Sequence, residues 1–159
     1  MFSFFGKKLK PQEACDVFES LLPNLDFKGY PEKSERTTKN WSVLYKMASK
    51  KTATYCVMSN CDGICFNFCA DFVIDKERTT RVQVRLENVD LSYSKEGFAK
   101  LKEAYDMFNI FQENKSLFIR SANKVCKNVD DVKKVINDFY NEWNNSGIYP
   151  LIVKLNKLK

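Results

Sequence analysis

The chain has 159 residues, enough for one domain that buries a core of its own without disulfide or metal staples. With 44% hydrophobic and 29% charged residues, five Gly and four Pro, its composition is that of a folded protein and not of a disordered one. No apolar run is long enough to span a bilayer, there is no histidine for acid–base or metal chemistry, and neither a glycine-rich phosphate loop nor a Gly-x-Ser-x-Gly elbow occurs.

The first ten residues, MFSFFGKKLK, place a few apolar side chains ahead of the charges, the reverse of a secretory signal, so a cytoplasmic chain with reduced thiols is expected. The net charge is +6, with lysines gathered at Lys7, Lys8 and Lys10, at Lys50 and Lys51, and at Lys154, Lys157 and Lys159. They read as solvated surface, with residues 1–10 a flexible basic leader to a single domain spanning 1–159. The alternative is contact with nucleic acid or an anionic membrane through these termini, with Phe2, Phe4 and Phe5 inserting beside the leader lysines.

Residues 11–22 read as a helix: Pro11 suits its first turn, and Ala14, Val17, Phe18, Leu21 and Leu22 form one apolar stripe. Pro23 stops it, and a polar loop runs to Trp41. Alternation of Val43, Tyr45 and Met47 with Leu44 and Lys46 predicts a half-exposed strand. Residues 53–59 and 64–75 follow as strands on either side of Asn60-Cys61-Asp62-Gly63, where Asp-Gly is a hairpin signal. Residues 81–87 give a fourth strand, with Val82, Val84 and Leu86 inward and Gln83, Arg85 and Glu87 outward.

The hydrophobic period then lengthens. Ser94 is placed as the cap of a helix striped by Phe98, Leu101, Tyr105 and Phe108, and residues 117–121 form a short strand. Asn128 caps an amphipathic helix carrying Val132, Val135, Ile136, Phe139 and Trp143, which Gly147 ends. Leu151, Val153 and Leu155 then alternate as a last strand over 149–155. The predicted order is α-β-β-β-β-α-β-α-β: an α+β fold with an antiparallel sheet of about five strands and helices on one face.

Four of the six cysteines fall in YCVMSNCDGICFNFCADF, residues 55–72, and residues 52–75 contain no Lys or Arg. A tight turn at Cys61-Asp62-Gly63-Ile64 fixes the register: Met58 faces Asn67, Val57 faces Phe68, and Cys56 faces Cys69. Tyr55, Val57, Phe66, Phe68, Phe72 and Ile74 then share the helix-facing side. Cys56, Met58, Cys65, Asn67, Cys69 and Asp71 share the other, a low-charge, thiol-lined face that is the candidate partner-binding surface.

Cys65 and Cys69 are roughly 13 Å apart along a strand, and their spacing fits no zinc or iron–sulfur pattern, so no metal and no cofactor is expected. A Cys56–Cys69 disulfide is conceivable across the hairpin, but a reducing compartment favours packed free thiols. Cys61 is the most exposed candidate nucleophile for a cysteine enzyme, yet Asp62 beside it raises the thiol pKa, so no catalytic residue is assigned.

The stretch NCDGICFNFCADF resembles a segment of YbjN-type proteins of the type III secretion chaperone-like fold, through Cys61, Asp62, Cys65, Phe66, Phe68, Ala70 and Phe72. The resemblance implies a small α+β module, often dimeric, that binds another protein or senses, and does not catalyse. This chain departs from that pattern in its extra strand at 81–87 and in the helix that follows, which has only Asn109 where the family is Asn/Trp-rich. The expectation is a non-catalytic, cytosolic protein-binding module, chaperone-like or immunity-like, whose partner is another protein or a second copy of the chain.

Overall fold

A computed structural model describes residues 8–25, 42–58, 67–88, 95–105, 108–113 and 116–157. The elements in chain order are α1 (Pro11–Leu21), a single 3-10 turn (Leu22–Asn24), β1 (Ser42–Ala48), β2 (Thr52–Met58), β3 (Asn67–Ile74) and β4 (Thr80–Asn88). Then come α2 (Lys95–Ala104), β5 (Asn109–Glu113), β6 (Ser116–Arg120), β7 (Lys124–Cys126), α3 (Val129–Ser146) and α4 (Ile148–Lys157). The fold is α+β, with helices on one face of an antiparallel sheet as the hydrophobic pattern predicts.

The sheet has seven strands among the described residues, in the order β1-β2-β3-β4-β6-β5, with β7 also on β4. β4 is long enough to hold two neighbours end to end. Thr80, Arg81 and Val82 pair with β7, and residues 85–88 pair with β6. Between them the ladder is bridged by Ser121, whose N–H donates to the Val84 carbonyl while its hydroxyl accepts from the Val84 N–H. Gln83 adds a bond from its amide to the Ser121 carbonyl.

Because side chains alternate along each strand, this register sorts them into rows. One row, Val57–Phe68–Leu86–Ile119–Ile110, crosses five strands on the helix side, and all of these side chains are buried. Phe18 of α1 drops into it, with ring centroids 5.4 Å from Tyr55, 5.0 Å from Phe68 and 6.3 Å from Phe72. Phe139 of α3 stacks on Phe68 at 6.1 Å and meets Phe108 edge-on at 5.5 Å. Rings at these separations and tilts add attraction beyond the area they bury.

Helix ends follow their local chemistry. Pro11 opens α1, and the Glu13 carboxylate accepts from the Lys10 N–H. The Asn128 side chain accepts from the Asp131 N–H at 2.9 Å, and Gly147, at φ +76°, ends α3 in the left-handed conformation that glycine adopts freely. Ahead of α1, the buried Thr80 hydroxyl donates to the Leu9 carbonyl at 2.6 Å, and Leu9 itself is in the core.

Three expectations are corrected. Residues 148–157 form α4 and not a strand: Ile148 and Ile152, one helical turn apart, are both fully buried, and Pro150 falls in the first turn, where a helix accepts it. The second predicted helix ends at Ala104, so Phe108 leads into β5 and is not part of the helical stripe. β5 and β7 raise the strand number above five. The turn at 60–63, with Cys61, and the positions Cys65, Phe66, Trp41 and Ser94 lie outside the described residues.

Candidate functional site

Opposite the helices, the same register lays out the second face of the sheet. Its central row is Tyr45–Cys56–Cys69–Arg85–Arg120–Asn109, running across six strands. On one side lies Met47–Thr54–Asp71–Gln83, and on the other Met58–Asn67–Glu87–Phe118–Phe111. The candidate residues Cys56, Met58, Asn67, Cys69 and Asp71 therefore do share this face, while Cys65 is outside the described residues.

The two central cysteines are not free thiols. Cys56 and Cys69 are joined in a disulfide, which corrects the expectation that they pack reduced. The geometric reason is their direct opposition: their Cα atoms are 4.1 Å apart, close to the spacing of a non-hydrogen-bonded antiparallel pair and well inside the roughly 5.5 Å of a hydrogen-bonded one. Cys15 and Cys126 are free and buried. Burial pushes both thiols up to about 11, which leaves neither with the thiolate character of a nucleophile.

Arg85 organises the polar part of the face. Its Nε donates to Glu87 Oε2 at 3.2 Å, one Nη donates to Asp71 Oδ2, and the other donates to the Tyr45 hydroxyl at 3.2 Å. The Thr54 hydroxyl donates to the second oxygen of Asp71 at 3.0 Å. The side chains of Arg85 and Glu87 are each only 15% exposed, so this cluster is largely withdrawn from water. Burial works against the Arg85 charge, but the carboxylates of Asp71 and Glu87 outweigh it and hold the guanidinium firmly protonated. Arg120, directly opposite Arg85, lies with its guanidinium carbon 4.3 Å from the Phe111 ring centre, and Phe111 stacks on Phe118 at 4.6 Å.

Around this core the face turns apolar and exposed. Met47, 64% exposed, lies on it with Tyr45, Met58 and Val73, while along the edge strand Val43, 55% exposed and opposite Val57 of the helix side, and Leu44 in the bulge are exposed as well. Four of these six belong to β1, which has no further strand beside it among the described residues. A bulge between Val43 and Tyr45 shifts the pairing, so that Tyr45 and Met47 join the cysteine face and Lys46 turns to the helix side. There Lys46 pairs with Glu19 at 3.1 Å and covers the Tyr55 ring at 5.1 Å.

A second feature has no counterpart in the sequence reading. A cavity of about 550 Å³ opens beside α3, next to the break between β6 and β7. Phe108, Val135 and Phe139 give it an apolar floor, while Lys124, Lys127, Lys134, Asp131, Asp138 and Glu142 mix both charges around it. Lys134 and Asp138 neutralise each other at 2.7 Å, and Asp131 is committed to the α3 cap.

No helix among the described residues is long and apolar enough to cross a membrane. Comparisons with protein-family models, curated proteins and solved structures find no match, so the resemblance to YbjN-type proteins rests on the motif at residues 60–72.

Proposed function

We propose that the protein is a non-catalytic binding module that receives an extended segment of another protein along β1 and on the neighbouring face that carries Met58 and the disulfide. One observation carries this reading: β1 offers an unpaired edge among the described residues, together with the exposed apolar side chains Val43, Leu44, Tyr45 and Met47. Edges of this kind are normally blunted by charge, proline or a covering element. Here Lys46, the one charged side chain of β1, is drawn to the helix side by Glu19, which leaves the strand with little to repel a partner. Main-chain bonds along such an edge supply affinity, and alternate side chains supply selectivity. A second copy of the chain fits the same edge.

The test compares the wild-type chain with a Leu44→Lys/Met47→Lys variant, both exposed positions where charge leaves the core intact. Each is run by size exclusion with light scattering at micromolar concentration and used as bait in its native lysate. The reading expects self-association or a specific captured protein with wild type, lost in the variant. A wild type that stays monomeric and recovers nothing, or a variant that behaves identically, refutes it.

A further inference from the structure

Glu87 gives the disulfide a third neighbour. Cys56 and Cys69 oppose each other across β2 and β3, and Glu87 approaches from β4, two residues beyond Arg85, the partner of Cys69. A sulfur of each cysteine and a carboxylate oxygen of Glu87 all lie within 4.8 Å of one another. Both cysteines are fully buried, and three adjacent strands of one sheet hold the three groups. Around a tetrahedral zinc ion, with bonds of about 2.3 Å to sulfur and about 2.0–2.2 Å to oxygen, ligand atoms lie some 3.3–3.8 Å apart. The Glu87 oxygen therefore stands within reach of such a site, and the two sulfurs, bonded to each other in the disulfide, separate on reduction to hold the ion.

We propose that the reduced Cys56 and Cys69, with Glu87, form a three-ligand site for a thiophilic divalent cation of the zinc class, and that the disulfide is the oxidised form of the same site. This does not depend on the binding role of β1. The electrostatics favour it. Two thiolates and the Glu87 carboxylate set three negative charges against a dication, and the Arg85 guanidinium, which Glu87 shares with the more exposed Asp71, offsets the remainder. Arg85 Nε already holds Glu87 through Oε2, the kind of outer hydrogen bond that orients a metal-bound carboxylate and leaves its second oxygen available. A solvent molecule completes the fourth position.

Conversion between the forms needs a dithiol reductant. The Cys56–Cys69 bond breaks, two electrons and two protons pass from the reductant to the two sulfurs, and the reductant closes to its own disulfide. Binding of the cation then releases both thiol protons to solvent. Since the cation and the S–S bond use the same sulfur atoms, each form excludes the other.

The full chain, reduced with a dithiol, freed of it anaerobically and titrated with Co²⁺ alone, should develop thiolate-to-cobalt charge-transfer absorption that saturates at one equivalent and is displaced by Zn²⁺. Oxidised protein should show none. Glu87→Gln should weaken binding at least about tenfold while retaining the disulfide on oxidation. Absorption that survives unchanged in Cys56→Ser/Cys69→Ser, or affinity untouched by Glu87→Gln, overturns the proposal. If the double serine variant does not fold, mass-spectrometric mapping of alkylation in the reduced wild type decides. Zn²⁺ should slow labelling of Cys56 and Cys69 at least about tenfold, and equal rates with and without zinc overturn the proposal.

Discussion

Replacing Arg85 by methionine tests how much of the fold depends on the polar cluster. Methionine keeps most of the apolar stem of Arg85, so the change isolates the guanidinium. Three hydrogen bonds disappear, to Asp71, Glu87 and Tyr45, but their losses are unequal. Tyr45 is exposed and Asp71 is 36% exposed, so both regain water, whereas Glu87 at 15% is left as a largely buried carboxylate with no cation. A fully buried broken pair costs about 3–5 kcal/mol. Discounted for the remaining access to water, Arg85→Met should cost about 2–4 kcal/mol, or a fall in Tm of about 5–15 °C for a chain of this size. Urea and thermal unfolding followed by circular dichroism give both numbers. Adding Glu87→Gln removes the stranded charge and should recover about half of the loss. A cost below about 0.5 kcal/mol, or a double variant no more stable than Arg85→Met alone, refutes the argument that a stranded carboxylate dominates.

Three further expectations follow from other parts of the molecule. The disulfide closes a loop of sequence separation 13, so reduction by a dithiol without added metal should destabilise the chain by about 2–4 kcal/mol, measured as a shift of the urea midpoint. An unchanged midpoint would show that the bond constrains nothing. Gly147→Ala places a Cβ at φ +76°, where space is adequate but the backbone is strained, and should cost about 1–2 kcal/mol. Alkaline pH should weaken the fold. Burial first raises Cys15 and Cys126 from 9.0 to about 11 and Tyr55 from 10.0 to about 12, so the folded state holds these protons longer than the unfolded one. Their stabilisation is complete below about pH 9 and lost progressively as pH rises toward 12, so unfolding free energy measured at pH 8, 9.5 and 11 should fall, and a flat or rising profile contradicts it.

Much of the hairpin was legible because two constraints agreed. Asp62-Gly63 suggested where the chain turns, and alternating residues allowed only one register that buries Tyr55, Val57, Phe68 and Phe72 together. The observed pairing of Cys56 with Cys69 and Met58 with Asn67 is the one this reasoning predicts. What failed did so for identifiable reasons. Leu151, Val153 and Leu155 fit a period of two, but the fully buried Ile148 and Ile152 fit a helical turn, and tertiary packing chose the latter. A reducing compartment argues against the disulfide, although the register places Cys56 and Cys69 directly opposite each other, which permits it. Spacing along the chain ruled out a metal among neighbouring cysteines, yet Glu87 reaches the pair from another strand through a register that no local motif encodes. Alternation alone does not reveal Tyr45 as a partner of Arg85, because the bulge that aims it leaves no mark in a simple period of two. The cavity beside α3 arises where β6 gives way to β7, a junction between elements and not a property of any one of them.

The way β4 shares its edge between β6 and β7 has a consequence for how the chain divides. Among the described residues, every strand pairing between residues 8–88 and residues 95–157 is made by β4, while α3 packs against α1 above it. A cut between residues 88 and 95 therefore severs none of the described strands and yields two pieces with complementary edges. One piece ends in the bare side of β4, and the other brings three short strands, two of which pair with β4, and the helix that covers the seam. Each piece alone would expose unpaired backbone and stick to copies of itself. Supplied together, they have the complementary edges needed to reassemble, which makes this chain a natural candidate for a split reporter.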